Sequence, residues 1–502
     1  MANYTSTVVK GAGVLFAASV LSSALMYLIR LVLARKLSQE EFGFFFAVYS
    51  VILILNWIKG FGLPSTVQKF IPEFRIKQEF SQIKSVLLLV FIFTLLSSGA
   101  MLLIAYLLPS ELLNTYFQSH AGKSLLIILL IFILIDGLSQ VITSYFIAVH
   151  QFFLYSLREL IIRATVLLLI FLLPLSVLTA GWVYVAGALL ALFFNFIFFF
   201  KLFPFFSYKI ALGREQMKAL FLFSVPLVAR DFIGVIMSYV DNLMLVYFRP
   251  LTEVAVYNVI LPTADLLLLF GRPFGRIMFP LSSELWAMKD TQQISFLLGK
   301  IHKHLFLILA PLYVALFVLA KIILSTFFGQ KYAGGALGLQ ILALGFVFGS
   351  LNISCYDVLM GLGKTKQATI SIIVVNIINV ILNWLLIPFF GQSQQGYVGA
   401  ALATAFSSIF LFGFLLYYLH RYIRYVFFTR GWFTVLGIAL FVLMMNILII
   451  RRLSGIFWPV VAVLAVLVLL YPLLLFLFQV TSWKEFRELL RLVLPKKRET
   501  KN

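Results

Sequence analysis

Long apolar runs separated by short polar segments dominate the chain, and this pattern predicts helices that cross a membrane. A helix of about 20 apolar residues spans the roughly 30 Å hydrocarbon core of a bilayer. Two uncharged stretches are too long for one span each, and Pro174 and Pro388 mark where they divide. Fourteen spans are therefore predicted, at about 11–34, 42–63, 83–108, 123–149, 154–178, 181–203, 219–247, 252–279, 303–326, 333–360, 367–390, 396–420, 431–451 and 456–479.

The composition supports this interpretation. The 502 residues are 63% hydrophobic and only 11% charged, with a mean hydropathy of +1.07, which excludes the charged surface that a soluble protein needs. The single cysteine excludes a disulfide framework. Only Lys10 precedes the first apolar run, and no small-residue cleavage site follows it, so we expect a retained helix rather than a signal peptide.

The net charge of +21 is explained by membrane topology rather than by binding to nucleic acid. An even number of spans places both termini on one side of the membrane. If that side is the cytoplasm, the inner segments carry 26 Lys and Arg residues and the outer segments carry 8. This asymmetry follows the rule that positive residues stay inside. The count assigns cations near the ends of spans to the adjoining segment, and it leaves five within spans: Arg30, Lys59, Arg230, Arg272 and Arg276.

The chain also repeats itself at a nearly constant distance. Pro174 and Pro388 lie 214 residues apart, and the segments that begin at Arg35 and Arg249 resemble each other at the same distance. We therefore expect an all-α membrane protein with two pseudo-symmetric lobes of six helices and two extra helices. The predicted boundaries are 1–203 for the first lobe, 204–218 for a cytoplasmic linker, 219–425 for the second lobe, 426–480 for the extra helices and 481–502 for a basic amphipathic tail.

Two motifs carry a family resemblance. LARKLSQEEFG at Leu33–Gly43 and KGFGLPST at Lys59–Thr66 resemble the amino-terminal signature of polysaccharide-biosynthesis flippases, the Wzx-like branch of the multidrug/oligosaccharidyl-lipid/polysaccharide superfamily. The resemblance covers essentially the whole chain. It implies a V-shaped transporter that moves a lipid-linked oligosaccharide across the cell membrane by alternating access. It implies no cofactor and no catalytic residue, and its expected partners are the substrate, membrane lipids and other membrane proteins of polysaccharide assembly.

The five cations within spans are the candidate substrate-binding residues. A lipid-linked sugar carries a phosphate or diphosphate, and arginine binds phosphate oxygens in a bidentate manner. Arg230 lies deepest in its span, and Lys59 and Arg272 are 213 residues apart in the repeat. The alternative is that Arg30, Lys59 and Arg276 extend from helix ends to lipid headgroups.

Five aspartates are candidates for a coupling ion or proton: Asp136, Asp231, Asp241, Asp265 and Asp357. Hydrogen bonding between helices is the alternative role. Asp265, seven residues before Arg272, is expected on the same helix face. We expect no metal site, because His302 and His304 are too close in sequence to share a helix face, and we assign them to loop packing.

Three other functions compete with the flippase. A cation-coupled multidrug exporter of the same superfamily would favour acidic residues in the first half, where the first two spans instead carry Arg30 and Lys59. A membrane glycosyltransferase or polymerase would need larger outer loops with catalytic carboxylates. A membrane scaffold would leave the charges inside the spans unexplained.

The charge asymmetry predicts that both termini are cytoplasmic. A reporter enzyme that is active only outside the cytoplasm should therefore stay inactive when fused to either end. Activity of that reporter at either terminus, with the fusion protein present in the membrane, would contradict the topology.

Overall fold

The computed structural model describes residues 2–211, 213, 217, 218, 220, 222, 224, 235, 238–427, 430–452 and 457–478. These residues form helices joined by short turns. In the first half the helices are α1 (Ala2–Lys36), α2 (Gln39–Ile58), α3 (Leu63–Ile76), α4 (Phe80–Leu107), α5 (Ser110–Tyr116), α6 (Gly122–Ala148), α7 (Phe152–Leu172) and α8 (Val177–Leu202). The described part of α9 covers 238–248.

The second half continues with a bent pair of helices and a series of long ones. They are α10 (Leu251–Asp265), α11 (Leu268–Ala287), α12 (Thr291–Ile323), α13 (Ala336–Gly361), α14 (Thr365–Gly391), α15 (Gly396–Ile423), α16 (Arg430–Arg452), α17 (Phe457–Ala465) and α18 (Tyr471–Leu477). A single π turn, Val466–Leu470, joins the last two.

The prediction of an all-helical membrane fold is confirmed. Within the described ranges, eight helices are long and apolar enough to cross a bilayer, and a ninth is counted if α10 and α11 form one span bent by 46°. The number fourteen stays a prediction. α16 and the α17–α18 segment, the two helices predicted to follow the repeat, pack their apolar side chains against α12.

The second predicted span ends earlier than expected, and a separate helix follows it. Ser38 starts α2 with a reciprocal capping box, in which its hydroxyl accepts from the Glu41 amide and the Glu41 carboxylate accepts from the Ser38 amide. α2 ends at Ile58, and Gly62 turns the chain with φ 67°. The sequence interpretation left 64–82 as a polar connection. It missed α3, whose buried side chains pack against α4 and α6.

The repeat is visible in the order of the helices and in the turns between them. Among the described residues, four turns of the first half contain a residue with positive φ, and three of them have a counterpart 211 to 213 residues later. The pairs are Gln78 and Lys289, Gln118 and Gly329, and His150 and Gly363. Each pair follows an equivalent helix, so the two halves change direction at the same steps.

The described chain separates into two compact units, Met1–Asn258 and Val259–Asn502. The first unit includes α9 and the start of α10 because both pack on its helices. Asn242 donates a 3.2 Å hydrogen bond to the Phe46 carbonyl, and a Cβ at Gly43 would collide with the Leu251 backbone. This division differs from the predicted lobe boundary at 203–219, which stays a prediction for the transport domains.

Close packing of α13 and α15 makes a stability prediction. A Cβ at Gly345 would lie 2.7 Å from the Ala405 Cα, whereas a Cβ at Gly413 meets nothing within 4 Å. Gly345→Ala should lower the free energy of unfolding by about 1–3 kcal/mol. Gly413→Ala is the matched control and should be neutral or stabilise by up to about 1 kcal/mol. Thermal unfolding of both purified variants measures the difference, and equal melting temperatures would contradict the packing argument.

Candidate transport site

The break after α2 places a lysine inside the helical unit. Lys59 caps α2, with its amide donating to the Leu55 carbonyl and its carbonyl accepting from the Ser97 hydroxyl. Its side chain is only 2% exposed, and Nζ lies 3.2 Å from Oδ2 of Asp136. Lys59 therefore does not extend to the lipid headgroups; its ammonium is paired inside the protein.

Asp136 accepts from a second cation. Arg158, on α7, donates from Nη1 to Oδ1 of Asp136 at 2.5 Å, and both side chains are almost buried. The neighbouring Gly137 leaves room for this arrangement, because a Cβ there would lie 2.9 Å from Thr94 and 3.3 Å from the Lys59 side chain. We call Lys59, Asp136 and Arg158 the buried ion triad. A buried carboxylate is stable only when it is paired and hydrogen-bonded, and here two cations supply both.

The triad continues into a network that joins four helices. Nη2 of Arg158 lies 3.8 Å from Glu159, and Arg163 lies 3.3 Å from the same carboxylate. Ser22 on α1 donates a 3.1 Å hydrogen bond to Glu159. These contacts therefore fix the end of α2 and the helices α1, α6 and α7 relative to one another.

Sequence reasoning missed Arg158 and Arg163 as functional candidates. Both fall within the predicted span 154–178, but the charge count assigned them to the cytoplasmic side; the structure places them in α7. A signal was present: Asp136 lies near the middle of an apolar span, where a carboxylate requires a cationic partner.

Arg30 is held by protein groups of the first unit. Its Nη1 donates to the Asn258 carbonyl at 2.8 Å, and its guanidinium lies 4.4 Å from the centre of the Phe46 ring. Asn258 in turn donates to the Asn242 amide oxygen at 2.6 Å. Arg30 thus precedes the polar turn because its partners lie on α2 and α10.

Three other candidate residues, Arg230, Asp231 and Asp241, belong to the predicted span 219–247. Asp241 accepts a 2.8 Å hydrogen bond from the Tyr257 hydroxyl, which links α9 to α10. Arg230 and Asp231 lie outside the described residues. Their role stays a prediction.

The second unit presents its cations differently. Arg272 lies 3.7 Å from Asp265 across the break between α10 and α11, so the sequence correctly grouped these two residues. The two side chains are 50% and 46% exposed. Arg276, one turn later, is also exposed, while Gly275 brings α11 close to the Asp357 carboxylate of α13.

Lys59 and Arg272 are equivalent in the repeat but not in environment. Lys59 is buried and firmly paired, whereas Arg272 is half exposed and loosely paired. An exposed ion pair is worth about 0–1 kcal/mol, so the Arg272 guanidinium can exchange its partner at little cost. Among the candidate cations that the structure describes, the exposed ones, Arg272 and Arg276, both lie in the second unit.

His302, one of the two closely spaced histidines, makes contacts that support the packing of the protein. His302 lies within α12 rather than in a loop, and its ring nitrogens bond to the Tyr425 hydroxyl at 2.7 Å and the Ser354 hydroxyl at 2.9 Å. The assignment of His302 to loop packing is therefore wrong: it packs between helices. In the part of the chain that the structure describes, no group of three or more His, Cys, Asp or Glu side chains could hold a metal ion.

Apolar spans with broken helices and internal charges are typical of a multi-pass membrane transporter. A family model described as "Polysaccharide biosynthesis protein" matches residues 8–286, more than half of the chain, and the chain belongs to this family. The model named MatE matches residues 226–385.

Individual proteins agree with this assignment. An uncharacterized membrane protein of Methanocaldococcus jannaschii is 25% identical over 459 residues, covering 88% of this chain and 89% of its own. The "Probable low-salt glycan biosynthesis flippase Agl15" of Haloferax volcanii is 24% identical over 288 residues, which cover 56% of this chain and 58% of that protein. The lipid II flippase MurJ in an inward closed conformation shares the fold, with a TM-score of 0.73, 17% identity, and coverage of 95% and 99%.

The triad makes an asymmetric prediction. Asp136→Asn leaves two cations buried together and should cost about 3–5 kcal/mol of unfolding free energy. Lys59→Met should cost less, because Asp136 keeps Arg158. Asp265→Asn, at the half-exposed pair, is the control and should cost about 0–1 kcal/mol. Thermal unfolding in detergent ranks the three variants, and an Asp136→Asn variant as stable as Lys59→Met would show that Asp136 does not hold the triad.

Proposed function

We propose that the protein is a flippase that moves a lipid-linked oligosaccharide from the inner to the outer face of the cell membrane. The carrier is a polyprenyl phosphate or diphosphate, and transport proceeds by alternating access. The observation that supports this best is the exposed pair Arg272 and Arg276 on α11, directly after the break in a bent apolar span. Family membership supports the polysaccharide substrate class.

The physical argument rests on charge compensation. A phosphate cannot enter hydrocarbon without a counter-charge, and a guanidinium can bind two of its oxygens at once. Arg272 can leave Asp265 for a phosphate because their contact is long and half exposed. Asp265 can then recover the arginine when the substrate departs. Arg230 is proposed to contribute to the same cationic path, and Arg30 to its outer end.

Lys59 is assigned a different role within this proposal. Its ammonium is buried against Asp136, so it holds the broken helix in place rather than contacting substrate. Asp231, Asp241 and Asp357 are the remaining acidic candidates for coupling to an ion or proton.

The proposal predicts which arginine substitutions stop transport. In cells that lack their own copy, Arg272→Ala and Arg276→Ala should each reduce surface-polysaccharide assembly about tenfold or more, as expected for the loss of a charge-assisted hydrogen bond. Arg272→Lys should retain part of the activity, because it keeps the charge but loses the bidentate geometry. Complementation, with membrane abundance measured by immunoblot, provides the comparison.

Arg421→Ala is the matched control, since Arg421 is an exposed arginine at the end of α15. It should complement like the unaltered protein. Normal complementation by both the Arg272 and Arg276 alanine variants, at normal abundance, would refute the cationic path. The same measurement on Arg230→Ala tests the proposed contribution of that residue.

A multidrug exporter is the second candidate, and the MatE match to residues 226–385 is the observation that favours it. The two functions separate in one experiment. An exporter would change the susceptibility of the cells to cationic drugs and leave surface polysaccharide unaltered, whereas the flippase would do the reverse.

A further inference from the structure

An apolar cavity of about 480 Å³ lies in the first unit, between α2, α4, α5 and α6. Its walls are aliphatic and aromatic, and its one hydroxyl, on Tyr116, donates to the Leu243 carbonyl at 3.3 Å. The residues that matter below are Leu55, Ile104, Ala105, Leu112, Leu126 and Leu130. A cavity of this size is in the range of ligand-binding pockets.

The cavity opens beside apolar residues that the protein leaves uncovered. On α4, Leu103 is 58%, Ile104 59% and Leu107 70% exposed, and α4 is one of the membrane-spanning helices. This face of α4 is therefore in contact with lipid chains. Along α4 the lining of the cavity runs from Met101 to Leu108, about 10 Å at 1.5 Å per residue. One leaflet of a roughly 30 Å core is about 15 Å deep, so the cavity fits within the depth of one leaflet.

A lysine stands at the rim of the cavity. Nζ of Lys123 donates to the Leu108 carbonyl at 2.8 Å and lies 5.5 Å from the centre of the Tyr106 ring. An ammonium has three N–H donors, so others remain for an anion. Tyrosine rings mark the level of the headgroups in membrane proteins. Lys123 is therefore placed where a lipid phosphate would lie.

The start of α6 fixes this lysine. A Cβ at Gly122 would lie 3.1 Å from the Leu113 carbonyl and 3.3 Å from the Phe117 Cβ, so glycine allows α6 to begin against α5. The Lys123 amide lies 3.4 Å from the Asn114 side-chain oxygen. The rim cation and the apolar walls thus belong to one packed arrangement.

We propose that this cavity binds an anionic phospholipid of the surrounding bilayer, with one acyl chain between α4 and α6 and the phosphate on Lys123. On the predicted topology this lipid belongs to the outer leaflet. A bilayer phospholipid is favoured over the transported substrate because the mouth opens on the uncovered apolar face of α4. The proposal does not depend on the proposed transport function.

Lipid binding by the full-length protein tests the proposal. The purified protein in detergent is titrated with phosphatidylglycerol and with phosphatidylcholine of the same chains, and bound lipid is counted by native mass spectrometry. Phosphatidylglycerol should bind about tenfold more tightly. Lys123→Gln should remove that preference while chain binding persists. Ala105→Phe, which fills the cavity, should reduce binding of both lipids at this site.

Two matched variants control for general effects. Ala100→Phe places the same ring on the exposed face of α4, and Lys321→Gln removes an exposed lysine at the end of α12; both should bind lipid like the unaltered protein. If Ala105→Phe does not fold, the lipid selectivity of Lys123→Gln still tests the proposal, because the Lys123 side chain is only partly buried. Equal binding of the two lipids, or unaltered selectivity in Lys123→Gln, would overturn the proposal. Displacement of phosphatidylglycerol by equimolar polyprenyl phosphate would assign the site to substrate and also overturn it.

Discussion

The Asp136 carboxylate, shared between Lys59 and Arg158, is the interaction on which the first unit depends. It lies in a helix that would otherwise be apolar, where an unpaired charge is not tolerated. Satisfying it requires α2 to end near its level and α7 to present an arginine. After the break that follows α2, the chain continues as the separate helix α3. The apolar side chains of α3 pack in one core with those of α4 and α6. One buried charge thus fixes the positions of several helices.

The two halves of the repeat differ in how far their ion pairs are buried. In the first half the cation at the helix break is locked into a buried triad, and in the second half the equivalent arginine is exposed beside Asp265. The ion pair of the first unit is thus shielded from solvent, whereas the pair of the second unit is open to exchange with another anion. The paired turns with positive φ indicate that this divergence arose within one shared design.

The cavity proposed to bind lipid and the proposed substrate path differ in the chemistry of the residues that form them. The cavity is apolar, opens on the lipid-facing side of α4 and carries one cation at its rim. The proposed path is defined by exposed arginines on a broken span. The proposed lipid site and the proposed substrate path therefore use different parts of the chain.

The sequence by itself determined the membrane class, the approximate helices, the repeat and the family, because apolar length, periodic proline and turn positions, and the Leu33–Gly43 motif are local patterns. It also placed Asp265 near Arg272, since the two lie seven residues apart in one predicted span, although the structure joins them across a helix break. The partners of Lys59 and Arg30 could not be read in this way. Asp136 reaches Lys59 from another helix, Arg158 reaches Asp136 from a third, and Asn258 reaches Arg30 from 228 residues away. Such contacts depend on how the helices pack. A charged residue in a span indicates that a partner is required, but the sequence does not identify which residue the tertiary structure will supply.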